Sequence, residues 1–430
     1  MTIESLYVLF KKCSAVTTDS RNIPANSIFF ALKGANFNGN EFALEALSKG
    51  ASYSVIDEPG TSTDNRLIVV ENVLESLQQL ARHHRDQLNI PILAITGTNG
   101  KTTTKELTAA VLSKKYKVNF TQGNLNNHIG VPLTLLSMTD NTEFGVVEMG
   151  ANHPGEIKTL CEIANPDFGI ITNIGKAHLE GFGSFEGVIS TKSELYNFLK
   201  QKQGKCFVNA DNLLLIKQSE GLEQISYGKS TSYFMTGEVS SSENYLVVKA
   251  LFKKGWLYLK TRLVGDYNFE NLLAAACVGK YFEVDPLLIQ SALKEYQPSN
   301  NRSQLIKSQK NTIIMDAYNA NPTSMMAALS NFRNTAYNNK CLILGDMLEL
   351  GNASAEEHQK IVDFIDEQNF PEVFLIGEYF KGTTSQKEKK KFDQVELLSN
   401  YLKTQPIENK FILIKGSRGI HLEKILELLT

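Results

Sequence analysis

Only five cysteines and one tryptophan occur among 430 residues, and no two cysteines form a CxxC pair. Cys13, Cys161, Cys206, Cys277 and Cys341 are scattered, which excludes a disulfide framework and a thiolate metal knot; free thiols in a reducing compartment are expected. Neither charge is in excess: 44 basic against 46 acidic residues give a net charge of −2. That balance offers no basic stripe for nucleic acid and no patch for an anionic membrane. No apolar run approaches the ~20 residues that a bilayer span requires, so no membrane insertion is expected. The opening MTIESLYVLFKKC has neither a basic start nor a small-residue cleavage site, and a cytoplasmic location is expected instead of secretion. Repeats and low-complexity tracts are missing too. What is present is an ordinary globular composition, 42% hydrophobic and 21% charged, in a chain long enough for about two to four domains.

Three units can be read along the chain. Residues 1–88 carry short β-rich runs (SIFFAL at 27–32, YSVID at 53–57, LIVV at 67–70) and then a helix with Leu74, Leu77, Leu80 and Ala81 on one stripe. Asn89-Ile90-Pro91 breaks that helix. Residues 89–298 alternate strand and helix, which predicts a parallel sheet covered on both faces. Between about 223 and 263 the rhythm changes to consecutive strands, read as an antiparallel excursion. After the polar QPSNNRSQ, residues 299–430 alternate again around NTIIMDA, CLILGD, VFLIG and FILIKGS, a third unit of Rossmann-like type. KEKKK at 387–391 is read as a solvated turn.

The stretch PILAITGTNGKTTTKELTAAVL, 91–112, is a strand, a glycine turn and a helix. GKT ends a phosphate-binding loop, yet the usual upstream glycine is replaced by Ile95, inside the strand. Gly97 and Gly100 supply flexible backbone, the following helix its N-terminus, Lys101 a cation and Thr102 a hydroxyl for Mg²⁺. Glu148, the only acid of FGVVEMG, needs a cation if buried, or else reaches solvent. His178 follows the apolar strand FGIITNI in a glycine-rich loop, at the edge where α/β sheets put ligands; a lone histidine there can equally be structural. Lys192 on its helix reads by default as a solvated charge.

TGTNGKTT, EMG, NIGKAHLEGFGS and TKSELYN, in this order, resemble the Mur ligase family of ATP-dependent amide-forming enzymes of peptidoglycan precursor synthesis. The short loop GTNGKT is that family's own variant. TDSRNIPANSIFFALKG, GNLNNHIGVPLTLL, VEMGANHPGEI, MDAYNANPTSM and LGDMLELG further resemble its branch that joins D-alanyl-D-alanine to UDP-N-acetylmuramoyl-tripeptide. The resemblance runs over essentially the whole chain. It implies an α/β protein with a small N-terminal UDP-sugar-binding domain, a central P-loop ATPase domain and a C-terminal Rossmann-like domain.

Residue by residue, the resemblance implies that Gly97, Thr98, Asn99, Gly100, Lys101, Thr102 and Thr103 form the ATP loop, with Asn271 at the adenine, Arg302 at the γ-phosphate and Asp316 toward the ribose. Thr102 and Glu148 would hold one Mg²⁺. His178 would help hold a second metal, with Lys192 as a carbamylated ligand; Lys101, His178, Lys192 and Arg302 form the implied catalytic set. Ser20 and Arg21 would meet the uridine diphosphate, Thr121, Asn124, Asn126 and Asn127 the muramyl-peptide, and Asn319 and Asn321 the incoming dipeptide. Tyr267, Asn38 and Asn40 depart from the family pattern, where histidine, aspartate and histidine are commoner. The resemblance implies an ADP-forming ligase, expected to act as a monomer. A sister ligase of another amino acid and a nucleotide-binding regulator without ligation remain the alternatives.

Overall fold

The computed structural model describes residues 1–58, 60, 62–298 and 301–430, so the boundary expected between 298 and 299 meets residues outside the described ones. In the four-stranded sheet of the first unit, Ser27–Phe30 lies between Ala15–Thr17 and Ala51–Ile56, with Leu67–Val69 outermost and every pairing within that sheet parallel. The apolar start of the chain is a helix, Ile3–Phe10, capped by the Thr2 hydroxyl and burying Leu6 and Phe10. The longer helix Val73–Leu88 begins where the Asn72 side chain accepts the Glu75 N–H at 3.0 Å. It ends at left-handed Asn89 (φ +42°), two residues before Pro91. Its stripe of Val73, Leu77, Leu80 and Ala81 is buried in one apolar cluster with Ile28 and Phe30 on one side and Ile92, Val131 and Leu160 on the other. The first unit therefore shares a continuous core with the second.

The central sheet has nine strands. Ile92–Thr96 lies inside it, between Phe144–Glu148 and Phe168–Ile171, so the chain leaves this strand toward one side and later returns to the other. Such a reversal opens a crevice at the strands' C-terminal ends, and the glycine turn sits there. Helices Lys101–Leu112 and Phe269–Tyr281 cover one face, Glu156–Ala164 and Phe185–Lys202 the other.

Sequence rhythm misplaced the start of the antiparallel part. Glu223–Gly228 runs parallel to Lys205–Asn209 because helix Leu213–Gln218 carries the chain back over the sheet. Met235–Ser241 pairs parallel with only the last two residues of Glu223–Gly228 and antiparallel with Val247–Phe252, which in turn pairs antiparallel with Gly255–Lys260.

The C-terminal sheet has six strands, ordered Gln304–Lys307, Thr312–Asp316, Phe411–Lys415, Lys340–Gly345, Glu372–Ile376, Lys390–Phe392, antiparallel only at the first pair. The KEKKK segment is a solvated turn only at its start, where Lys387 and Glu388 are exposed. Its end is an edge strand, Lys389 is buried against Asp366, and the Lys390 ammonium lies 5.0 Å from the Phe374 ring centre. Long lysine stems cover apolar surface while the charge finds a partner, which composition alone does not reveal. All five cysteines are free thiols. No helix among the described residues is long and apolar enough to cross a membrane.

His84 is a pH-sensitive point of the shared core. It is 2% exposed, its Nε2 lies 2.9 Å from the Met138 carbonyl and its Nδ1 3.2 Å from the Tyr7 hydroxyl. Burial holds it below the ordinary histidine value of 6.5. A group kept neutral in the fold binds its proton more readily when unfolded, so stability falls as pH drops below about 6.5, by up to ~1.4 kcal/mol per pH unit for one proton. Urea midpoints measured from pH 7.5 to 5 are expected to fall less steeply in His84→Gln than in the parent. Equal slopes would remove the histidine from the pH response.

Candidate nucleotide and acceptor site

The turn after Ile92–Thr96 is shaped by two glycines that no other residue could replace without displacement. Gly97 has φ +139°, and a Cβ there would lie 2.0 Å from the Thr172 hydroxyl; at Gly100, φ +80°, it would lie 2.2 Å from Asn271 Oδ1. The neighbouring strand end braces the loop. Thr98 N donates to the Asn173 carbonyl at 2.9 Å and Asn99 N to Asn173 Oδ1 at 2.9 Å. Thr172 Oγ1 and Asn173 Nδ2 donate to the Asn99 carbonyl at 2.6 and 3.1 Å. The helix Lys101–Leu112 begins directly behind, so its first N–H groups face the crevice without intrahelical acceptors. Lys101 folds its ammonium onto the loop, 2.8 Å from the Gly97 carbonyl and 3.0 Å from that of Thr98, and enclosure pushes it down to about 8.

Across the loop stands Glu148, 1% exposed, at the end of its strand. Oε1 accepts from Thr102 Oγ1 at 3.1 Å and Asn126 Nδ2 at 2.8 Å, while Oε2 has no hydrogen-bond partner among the described residues. A buried carboxylate oxygen left in this way is costly and suits a hard cation, and a hydroxyl beside it is the usual companion ligand for nucleotide-bound Mg²⁺. Among the described residues no three histidine, cysteine, aspartate or glutamate side chains converge as a ready-made metal cage. Phosphate oxygens would have to complete the set.

Loop, Glu148 and the C-terminal unit enclose a cleft of about 1250 Å³. Asn99 and Asn321 clasp across it, with Asn321 Nδ2 donating to Asn99 Oδ1 at 2.8 Å. Asn321 also caps the helix Pro322–Asn334. Arg302 lines the cleft with its guanidinium 3.5 Å from the Tyr318 ring centre and its buried Nε unpartnered among the described residues. Asp316 accepts from Ser303 N at 3.0 Å and pairs with Lys415 at 2.7 Å. Asn271 accepts from Thr104 Oγ1 at 3.1 Å and donates to Asn268 at 3.0 Å. The Tyr267 hydroxyl shares a hydrogen bond with Ser303 at 3.0 Å, and Tyr267 lines the same cleft.

The other expected residues divide. Asn124, Asn126, Asn127, His178 and Asn319 line the cleft. Thr121 does not: it is fully buried, and its hydroxyl accepts the Glu148 N–H at 3.0 Å, which fixes the carboxylate from behind. Lys192 lies behind the cleft wall, 2% exposed, its ammonium 3.5 Å from the Ala151 carbonyl and 5.3 Å from the Phe182 ring centre. Burial, first, and the charge of Lys101 push it down to about 7. Ser20 and Arg21 lie in the first unit outside this cleft, where Arg21 pairs with Asp19 at 2.8 Å.

Sequence reasoning missed Lys105, fully buried with its ammonium 3.7 Å from Glu148 Oε2. Its spacing could have revealed it, since it follows Thr102 by three positions on the same helix face. Lys415 and Tyr318 were also missed; the former closes the strand FILIK at the edge where ligands collect.

The short glycine loop, the acid facing it and the capping Rossmann-like unit define an α/β nucleotide-binding protein with a cleft between two units. The chain belongs to the Mur ligase family. Its residues 95–279 match the Mur ligase middle domain, 301–418 the Mur ligase glutamate ligase domain, and 12–85 the Mur ligase family catalytic domain. It is 35% identical to the UDP-N-acetylmuramoyl-tripeptide--D-alanyl-D-alanine ligase of Bacillus subtilis, over 96% of this chain and 92% of that protein. The fold is similar to that of MurF from Acinetobacter baumannii, with a TM-score of 0.86, 28% identity and coverage of 100% and 98% of the two chains. It is also similar to MurF ligase from Thermotoga maritima in complex with ADP, with a TM-score of 0.85, 26% identity and coverage of 98% and 97%.

Gly100→Ala tests the loop. The added Cβ meets Asn271 and the φ is left-handed, so binding of a fluorescent ADP analogue is expected to weaken at least about tenfold, with a stability loss of ~1 kcal/mol or more. Parent-like affinity would mean that the loop does not hold phosphates in this shape.

Proposed function

We propose that this protein is an ATP-dependent amide ligase that joins D-alanyl-D-alanine to UDP-N-acetylmuramoyl-tripeptide, forming the pentapeptide precursor of peptidoglycan, ADP and phosphate. The observation that supports this most is the buried Glu148 carboxylate facing the phosphate loop, one oxygen held by Thr102 and the other without a hydrogen-bond partner among the described residues, in a cleft that also holds Arg302. Full-length likeness to ligases of that name sets the substrates. The three units divide near 88 and 298, and the need for ATP and a UDP-linked substrate fits a monomer working in the cytoplasm.

A carboxylate is a poor electrophile and must be activated before an amine attacks it. An oxygen of the tripeptide's terminal carboxylate attacks the γ-phosphorus, the bond to the β-phosphate oxygen breaks, and ADP leaves. The dipeptide amine then adds to the acyl carbon, loses a proton, and expels phosphate. Two anions meet in the first step, so fixed positive charge is the main requirement. Lys101 leaves its loop carbonyls to reach the phosphates, and Arg302, held flat on Tyr318, offers its unpaired Nε to the γ-phosphate. Asp316 takes the ribose side and Asn271 the adenine side. Asn124, Asn126 and Asn127 orient the peptide, Asn319 and Asn321 the dipeptide, and Ser20 and Arg21 the uridine diphosphate. Thr102 and Glu148 would hold Mg²⁺, which would supply Lewis-acid screening of the phosphates.

Lys192 is buried with no carboxylate within ion-pair distance among the described residues, which fits a lysine carried as its carbamate, with His178 helping to hold a second cation. Lys192→Ala is expected to be inactive and partly restored by short carboxylates in solution. Lys101→Ala is expected to lower kcat by ~10²-fold or more. The decisive assay follows phosphate release and the UDP-muramyl product by mass spectrometry, with the tripeptide and the amine each omitted in turn and other amines supplied in place of D-alanyl-D-alanine. Release that needs both the tripeptide and D-alanyl-D-alanine carries the proposal. Release with another amine points to a sister ligase, and nucleotide binding without release under any pair to a regulator.

A further inference from the structure

The segment LGDMLELG, residues 344–351, touches neither the loop nor Glu148, yet it presents one side chain to the cleft wall. Glu349 Oε2 lies 2.5 Å from His178 Nδ1, across the boundary between the C-terminal and central units. Both partners are non-glycine residues in the left-handed region, φ +65° and +50°. Such backbone is unfavourable for glutamate and histidine and persists only where the surroundings over-determine it.

The surroundings do so on both sides. Asp346 accepts the N–H groups of Tyr379 and Phe380 at 2.9 Å each. Met347 N donates to His358 Nε2 at 2.9 Å and Leu348 N to Ser417 Oγ at 2.9 Å. Met347 and Leu350 are buried, so the residues flanking Glu349 are pinned while its own side chain points out. On the facing unit, Gly181 N and Phe182 N return to the His178 carbonyl at 3.1 and 3.0 Å, and Phe182 packs edge-on against the imidazole. Lys176 and Glu357, 3.1 Å apart, brace the same junction. A surface ion pair is usually worth little and would not justify two strained residues.

We infer that Glu349 is a positioning residue for the ligase reaction. It fixes the imidazole of His178 with its proton on Nδ1 and leaves Nε2 as a lone-pair donor to the cleft, only while the C-terminal unit is docked. A carboxylate on one ring nitrogen sets which tautomer the other nitrogen presents, and such partners orient ligating histidines. The inference rests on the proposed ligase reading for what Nε2 meets.

The test uses the full chain labelled with ¹⁵N-histidine, with His178 assigned by its disappearance in His178→Gln. Two-bond ¹H–¹⁵N spectra are expected to show the parent's His178 protonated on Nδ1. Glu349→Gly removes the carboxylate while relieving the left-handed backbone, so Tm is expected to hold or rise. In this variant His178 is expected to lose the fixed tautomer and kcat to fall about 10- to 100-fold, with KM for ATP unchanged. Glu349→Gln keeps an acceptor oxygen and is expected to retain the tautomer and most of the rate. An unchanged His178 tautomer, or parent-like kcat, in Glu349→Gly would overturn the inference. Full turnover in His178→Gln would instead overturn the ligase role of this histidine, while the tautomer spectra would still report on Glu349.

Discussion

A negative charge held almost without solvent at the end of one parallel strand organises this protein. Glu148 is fixed from three sides: by the hydroxyl of Thr121 on its backbone, by Thr102 and Asn126 on one oxygen, and by the Lys105 ammonium 3.7 Å from the other. Those partners come from the helix behind the glycine loop and from the segment leading into Asn124, Asn126 and Asn127. Two walls of the cleft are thereby tied to one carboxylate. Lys105 is close enough to offset the charge but beyond hydrogen-bond distance, which leaves the second oxygen available to a cation arriving with phosphates.

The alternation of strand and helix was legible because a parallel sheet buries its strands on both faces, leaving apolar runs such as ILAIT and FGIIT in plain view. What failed was pairing direction and edge character. Glu223–Gly228 alternates like a half-exposed antiparallel strand, but its neighbours, not its own pattern, set its direction. Lys390–Phe392 reads as charge because an edge strand can carry lysines whose stems do the packing.

At the site, the loop residues and Glu148 could be read from chemistry, since a lone acid in an apolar strand needs a reason. His178 needed the family pattern. Thr121 shows the limit of motif reasoning: it lies in the expected stretch, yet its hydroxyl serves the backbone of Glu148 and not the cleft. Lys105, Lys415 and Tyr318 had no motif of their own. Their significance lies in what they face, and facing is a tertiary property.

The apolar cluster running from Leu6 and Phe30 through the helix Val73–Leu88 to Val131 and Leu160 joins one face of the first unit's sheet to the second unit, and only the other face keeps a small interior of its own around Phe29, Leu47 and Ile56. Lineages that diversify by exchanging substrate-recognition modules need seams where a module can be cut out with its stability intact. Here the seam lies inside a hydrophobic contact, so a first unit borrowed from a sister enzyme would arrive with a mismatched face. Change in whatever the first unit recognises is therefore confined to gradual replacement at the loops, away from the helix that welds the two units together.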